Sequence, residues 1–223
     1  MKKGQGPGTR DQGQRYAALI EEAKRHFKGA RGSHGWDHVE RVVCLAERIG
    51  RVEGADMAIL LPAAILHDIG RKAEDDSKGK KDHAAIGAAL AAKILAKARF
   101  GEGVKQRIIE CIKSHRFRGG NKPASPEAKI LFDADKLDSL GAVGVGRAFL
   151  FAGEVGARLV NTGRLADARS YSSEDTAYRE YMVKLRKLPA RMLTGAGKRL
   201  ARERNVFMRD YFKQFLKEAK HGP

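Results

Sequence analysis

Cysteine is scarce: Cys44 and Cys111 are the only two in 223 residues. They lack the paired spacing of a zinc knuckle. Each lies in an apolar helical pattern, so two buried free thiols in a reducing cytoplasm are expected. No apolar run approaches the roughly 18 residues of a membrane span. Strict apolar–polar alternation is missing too, which argues against a sheet. Acidic side chains are outnumbered, 27 against 44 Lys and Arg, for a net charge of +17. That surplus favours anionic partners (phosphorylated small molecules, nucleic acid or acidic surfaces) without selecting among them. Aromatics are sparse within the basic stretches and no recognised nucleic-acid motif occurs, which counts against a dedicated nucleic-acid binder.

Helical periodicity is what the chain does have. Tyr16, Leu19, Ile20, Ala23 and Phe27 share one face, as do Val39, Val42, Val43, Ala46 and Ile49. The same spacing recurs in Leu60, Ala63, Ala64 and His67, in Ile86, Leu90 and Ile94, and in Ile108, Ile109, Ile112 and His115. It returns near the end in Met208, Tyr211, Phe212 and Phe215. An all-α helical bundle is expected, as one domain over residues 15–220. Met1 to Gln14, rich in Gly, Gln and Lys without an apolar stretch, reads as a disordered leader and not a signal peptide. Breaks are expected at Gly29–Ser33 and Gly50–Gly54, with polar loops over Arg71–Asp82 and Arg116–Pro126. Gly153 to Asp175 suggests a lid, and Leu188 to Gly197 a hinge before the last helix.

Several motifs fail on inspection. Gly141-x-x-Gly144-x-Gly146 follows no strand and has the wrong order for a dinucleotide fingerprint. Gly197-Lys198 lacks the upstream glycine of a phosphate loop; Met192 stands there. Asp133 to Asp138 starts like a calcium loop, but Leu137 breaks the pattern and no glycine follows.

What survives is a set of imidazoles and carboxylates at helix ends. His38 opens one helix, His67-Asp68 ends an apolar one, His83 opens another and His115 closes another. Asp135 follows Ala128, Leu131 and Phe132 on an inner face. Taken singly, each has a dull explanation: a satisfied core histidine, a cap, a solvated charge. Six inward-facing metal-competent residues on five separate helices are hard to explain that way. Mixed imidazole and carboxylate donors suit manganese, iron, nickel, cobalt or zinc, and magnesium less well.

The run Ser33-His34-Gly35-Trp36-Asp37-His38-Val39-Glu40-Arg41-Val42, then Leu66-His67-Asp68-Ile69-Gly70, then Asp133-Ala134-Asp135-Lys136-Leu137-Asp138 resembles the HD superfamily of metal-dependent phosphohydrolases. Within it, the chain is similar to the short stand-alone bacterial branch. Ser114-His115-Arg116-Phe117, Glu127 to Leu131 and Gly141 to Gly144 also match that branch, and the resemblance spans roughly residues 15–218. It implies an HD-domain helical bundle with His38, His67, Asp68 and Asp135 as ligands of a divalent cation. Asp135 is preferred to Asp133 and Asp138. His34 is implied to be a supporting or turn residue. His83 and His115 fall where two-metal members carry further histidines; ligation and phosphate contact both stay open for them. The stretch departs from the branch at Gly35, where Asp is frequent, and no role transfers to that side chain.

The resemblance implies hydrolysis of a phosphate ester or nucleotide by metal-activated water. Asp68 would act mainly as a ligand, and a protonated His115 or His83 would assist the leaving group. Arg116 and Lys136 are the preferred phosphate contacts among the flanking cations Arg71, Lys72, Arg118 and Lys122. A nucleotide pyrophosphohydrolase is one specific form. Cyclic-nucleotide phosphodiesterase is an alternative; the Gly-Tyr-Pro signature of the cyclic-dinucleotide branch is missing. A non-catalytic basic nucleic-acid-binding module on the same scaffold is the alternative from another class.

Overall fold

The computed structural model describes residues 9–30, 32–77, 80–116, 121–161, 163, 165 and 171–220. Among them are ten α-helices, two 3-10 turns and no strand. The helices are α1 (Thr9–Arg25), α2 (Trp36–Glu53), α3 (Met57–Leu66), α4 (Arg71–Asp76), α5 (His83–Lys97), α6 (Glu102–Ser114), α7 (Pro126–Leu137), α8 (Gly141–Glu154), α9 (Ala177–Val183) and α10 (Gly195–Lys220). The 3-10 turns cover Gly32–His34 and Leu185–Arg191. No helix among the described residues is long and apolar enough to cross a membrane.

The centre is α3, whose sequence MAILLPAAIL is apolar on every side. A helix of that kind has no face to give to water, so it must be surrounded. It is enclosed by α2, α6, α7 and α1, and α5 packs on α6. Ile59, Leu60 and Leu66 are fully buried, each worth about 1.5–3 kcal/mol of transfer free energy. The amphipathic α10 closes the other side against α8, α7 and α2.

Helix starts follow the chemistry of their caps. Asp56 Oδ1 accepts from Ala58 N at 3.0 Å, Asp82 Oδ1 from Ala84 N at 3.0 Å and Ser125 Oγ from Ala128 N at 3.1 Å. Asp82 thereby fixes where α5 begins, and with it His83.

The structure corrects several expectations. α2 runs through Gly50 to Glu53 and ends only at Gly54, whose φ of +72° suits a residue without a side chain. Residues 71–76, expected as loop, form α4. Cys44 is exposed; only Cys111 is buried. Cys44 falls on the outer face of α2, between the buried Val42 and Leu45. The helix α1 already covers Thr9–Gln14, part of the stretch read as leader, while residues 1–8 lie outside the described residues. The lid expected over 153–175 also falls partly outside them, at residues 162, 164 and 166–170. The glycines of the failed dinucleotide motif sit in α8, which follows a helix.

Candidate metal centre

Five helices bring their ends to one point beneath the surface. His38 stands in the first turn of α2, His67 and Asp68 just past α3, His83 at the start of α5, His115 just past α6 and Asp135 near the end of α7. All but Asp135 are buried to 1% exposure or less. Gly70 makes the approach of α5 possible. A Cβ there would stand 2.4 Å from His83 O and 2.7 Å from Gly87 N, and backbone atoms cannot swing aside.

Two groups of three donors result: His38, His67 and Asp135, and Asp68, His83 and His115. In the first, His38 Nε2 lies 3.3 Å from His67 Nε2 and 3.4 Å from Asp135 Oδ1. In the second, His83 Nε2 lies 3.0 Å from His115 Nε2 and 2.9 Å from Asp68 Oδ1. Asp68 faces both groups. Its Oδ1 is 3.6 Å from His115 Nε2, and its Oδ2 is 3.6 Å from His38 Nε2 and 3.9 Å from His67 Nε2.

The other nitrogen of each ring decides what these atoms are. His67 Nδ1 lies 2.8 Å from Ala64 O, and His115 Nδ1 lies 2.6 Å from Ile112 O. Carbonyl oxygens only accept, so both rings carry their proton on Nδ1. His38 Nδ1 is 2.7 Å from Asp138 Oδ2, and His83 Nδ1 is bonded to Glu74 Oε2. With carboxylates as acceptors, the proton again sits on Nδ1. Four Nε2 atoms converge on two carboxylates. Asp68 Oδ1 is buried without a hydrogen-bond donor. Facing lone pairs at these distances repel unless something positive lies between them. Donors about 2.1 Å from an ion are spaced by roughly 3.0–3.5 Å in tetrahedral or octahedral geometry, and the shortest spacings of each group, 3.3 and 3.4 Å in one and 2.9 and 3.0 Å in the other, lie close to that range. The residues present fit a divalent cation in each group.

The electrostatics divide the rings: against burial and Arg147, the carboxylates of Asp135, Asp138 and Asp68 raise the pKa of His38, whereas His67 and His115 are lowered. Burial keeps His67 uncharged, pushing its pKa down to about 4. Burial also lowers that of His115. Burial opposes ionisation of Asp68, but the Arg71 guanidinium beside it holds the carboxyl well below the usual range. Asp135 is likewise held low against its burial, by the Lys136 ammonium beside it. His83 and His115 are each bonded through Nδ1 and turn Nε2 inward toward Asp68.

Two carboxylates orient this set. Asp138 accepts from His38, from Arg41 Nε at 2.7 Å and from Arg147 at 2.8 Å. Glu74 Oε2 accepts from His83, from Arg71 at 3.2 Å and from Arg116 at 2.9 Å. Asp133 points elsewhere: it accepts from Leu193 N and Thr194 N, both at 2.8 Å, and pins the start of α10. Sequence reasoning missed Glu74 and Arg147 and weighed Asp138 only as a ligand. For Asp138 a signal existed, since it lies three residues after Asp135.

Beside the donors lies a cavity of about 750 Å³, within the range for small-molecule sites. His38 and Asp135 border it, with Arg71, Arg116, Lys136 and Arg147. Both expected phosphate contacts thus reach it. Arg116 also pairs with Asp82 at 3.3 Å, and Lys136 Nζ lies 2.5 Å from Asp135 Oδ2. Lys72 is paired with Asp76 on the exposed side of α4, Lys122 is exposed, and Arg118 lies outside the described residues. Farther out the wall turns apolar with Ala148, Phe151, Leu185 and Leu188.

Comparison with known proteins bears on this arrangement. The HD domain family model matches residues 35–140. YpgQ of Bacillus subtilis is 35% identical over 189 residues, covering 83% of this chain and 84% of YpgQ. The crystal structure of YpgQ in complex with ADP matches with a TM-score of 0.74 at 30% identity, over 93% of this chain and 96% of that one. An HD-superfamily hydrolase from Bacillus thuringiensis matches with a TM-score of 0.71 at 25% identity, over 95% and 100% of the two chains. Four inward lone pairs, two carboxylates and an all-helical frame of this likeness lead to one assignment: the chain belongs to the HD superfamily of hydrolases.

Proposed function

We propose that this protein is a metal-dependent phosphohydrolase acting on a phosphate ester or nucleotide, with its helical domain spanning residues 15–220. The observation that carries the reading is the convergence of the Nε2 atoms of His38, His67, His83 and His115 on Asp68 and Asp135, with Asp68 Oδ1 buried and lacking a hydrogen-bond partner. His38, His67, Asp68 and Asp135 would hold one divalent cation, and His83 and His115 beside Asp68 would hold a second. Bound metal would supply Lewis acidity to a phosphoryl group and lower the pKa of water.

The chain's own groups do the rest. Asp138 and Glu74 fix the imidazole tautomers, and Ala64 O and Ile112 O fix the other two. Arg116 and Lys136 line the cavity next to the donors and neutralise phosphoryl oxygens as charge develops. Arg71 and Arg147 add positive potential in the same wall. The relative YpgQ is known with ADP, and a nucleotide is the ligand class we favour here. Pyrophosphohydrolysis of a nucleoside triphosphate is the specific form to test first.

The test is a screen of nucleotides and sugar phosphates with manganese, cobalt, nickel, zinc and magnesium, with metal analysis of wild type, His67→Ala and Asp68→Ala. Metal-dependent phosphate or pyrophosphate release is expected, lost with bound metal in both variants while helix content stays. Equal metal content in wild type and variants would reject the site.

A further inference from the structure

The cavity wall carries a histidine outside the donor set. His34, in the 3-10 turn Gly32–His34, lines the cavity with its ring edge-on to Phe151 at 6.4 Å. Its neighbour Ser33 is tied down on every polar atom. Ser33 N and Oγ donate to the two carboxylate oxygens of Glu154 at 2.8 and 2.7 Å, and Ser33 O accepts from Arg147 at 2.9 and 3.1 Å.

A hydroxyl has one proton, and that of Ser33 goes to Glu154. The 3.2 Å contact between Ser33 Oγ and His34 Nδ1 must then be a bond from Nδ1–H to the hydroxyl oxygen. The lone pair of His34 is left on Nε2. Burial and the charges of Arg71 and Arg147 keep the ring neutral. A fixed, neutral acceptor thus stands in a cavity lined also by the cations Arg71, Arg116, Lys136 and Arg147 and by the hydroxyl residues Ser139 and Tyr171. It repels phosphate oxygens and accepts from a neutral O–H or N–H.

We propose that His34 is a specificity-determining residue whose Nε2 accepts a hydrogen bond from a sugar hydroxyl of a phosphorylated ligand. The assignment rests on the phosphohydrolase reading for where the phosphate lies. His34 is close enough to the donor set to feel the charges of Asp68 and His38. With phosphate held by Arg116 and Lys136 of the same cavity, the sugar of a nucleotide, a few bonds away, carries the neutral hydroxyls that suit His34.

Two substitutions separate the ring's two nitrogens. His34→Asn keeps a donor near the Nδ1 position and removes the Nε2 acceptor; His34→Gln retains an acceptor at the Nε2 position. Affinities for ADP and 2′,3′-dideoxy-ADP are measured by calorimetry with manganese present. Wild type is expected to prefer ADP about tenfold, or about 1.4 kcal/mol. His34→Asn should bind both equally at the weaker affinity, and His34→Gln should retain most of the preference. No preference in wild type, no binding of either nucleotide, or equal weakening of both by His34→Asn overturns the assignment. A wild type that discriminates yet hydrolyses no phosphate ester defeats the hydrolase reading and leaves His34 standing. One that hydrolyses nucleotides without regard to the hydroxyls does the reverse.

Discussion

Asp138→Asn probes the metal centre without touching a donor atom. Asp138 is buried to 1% exposure and receives His38 Nδ1 at 2.7 Å, Arg41 Nε at 2.7 Å and Arg147 at 2.8 Å. The amide keeps the shape but loses the charge and one acceptor. Removing one member of a buried charged cluster costs about 3–5 kcal/mol. Arg41 is about a third exposed and Arg147 keeps its bonds to Ser33 O, so roughly 2–3 kcal/mol is the better expectation here. The ring of His38 is then freer to turn, and loss of such an orienting partner lowers metal affinity about 10–100-fold. Manganese titration by calorimetry and urea unfolding of metal-stripped protein measure the two effects. Asp133→Asn is the matched control from the same helix. It should lose stability through the bonds of Leu193 N, Thr194 N and Thr194 Oγ1, and leave metal affinity unchanged. Folded Asp138→Asn with wild-type metal affinity would refute the role given to His38. Asp133→Asn weakening metal as strongly would refute the division of labour between the two acids.

Gly70→Ala should destabilise by about 1–3 kcal/mol and weaken the group containing His83 more than that containing His67, because the added methyl meets α5 backbone; metal stoichiometry reads this, and an unchanged count with unchanged stability would contradict it. In metal-stripped protein, Glu74 and Asp138 are each held at about 2, against burial, by His83 and Arg71 and by His38 and Arg41 respectively. Their folded pKa values lie below the unfolded ones, so the unfolded chain takes up protons first. Stability from them is complete above about pH 4.5 and falls as pH drops toward about 2, by on the order of 2–3 kcal/mol for each; acid titration of the unfolding midpoint tests the window. Iodoacetamide should modify the exposed Cys44 and spare Cys111, whose thiol burial pushes up to about 12; peptide mapping that finds Cys111 alkylated in folded protein would count against its burial.

The donors were legible because each ends or opens a helix whose apolar stripe fixes its direction. His67 continues the stripe of Leu60, Ala63 and Ala64, and His115 that of Ile108 and Ile112. The groups that hold the donors were not legible, for a physical reason. Asp138 meets His38 across 100 residues and Arg147 meets Ser33 across 114, and such pairs follow from packing, not from local periodicity. Glu74 was hidden differently. The segment Arg71–Asp76 is polar all round, so it shows no stripe; its helix is fastened by the ion pairs of Arg71 with Asp68 and Glu74. Cys44 was misplaced because Val42, Val43, Leu45 and Ala46 surround it in sequence although it lies on the outward side of α2.

The four imidazoles are oriented in two different ways, and the difference governs how the centre responds to change. His67 and His115 each sit just past a helix and give their Nδ1 proton to a carbonyl three residues back, Ala64 O and Ile112 O. Those carbonyls belong to the last helical turn, where acceptors are left over by the helix itself. No side-chain substitution removes them. His38 and His83 instead depend on Asp138 and Glu74, which are shared with Arg41 and Arg147 and with Arg71 and Arg116. Each cation group therefore contains one ring anchored by backbone and one anchored by a tunable carboxylate. The arginines that share those carboxylates, Arg71, Arg116 and Arg147, also face the cavity. An anion drawn to those arginines would loosen their hold on Glu74 and Asp138 and strengthen the pull of each carboxylate on its histidine. On the proposed reading, ligand binding and the donor strength of His38 and His83 would be coupled through two side chains, while His67 and His115 would stay fixed.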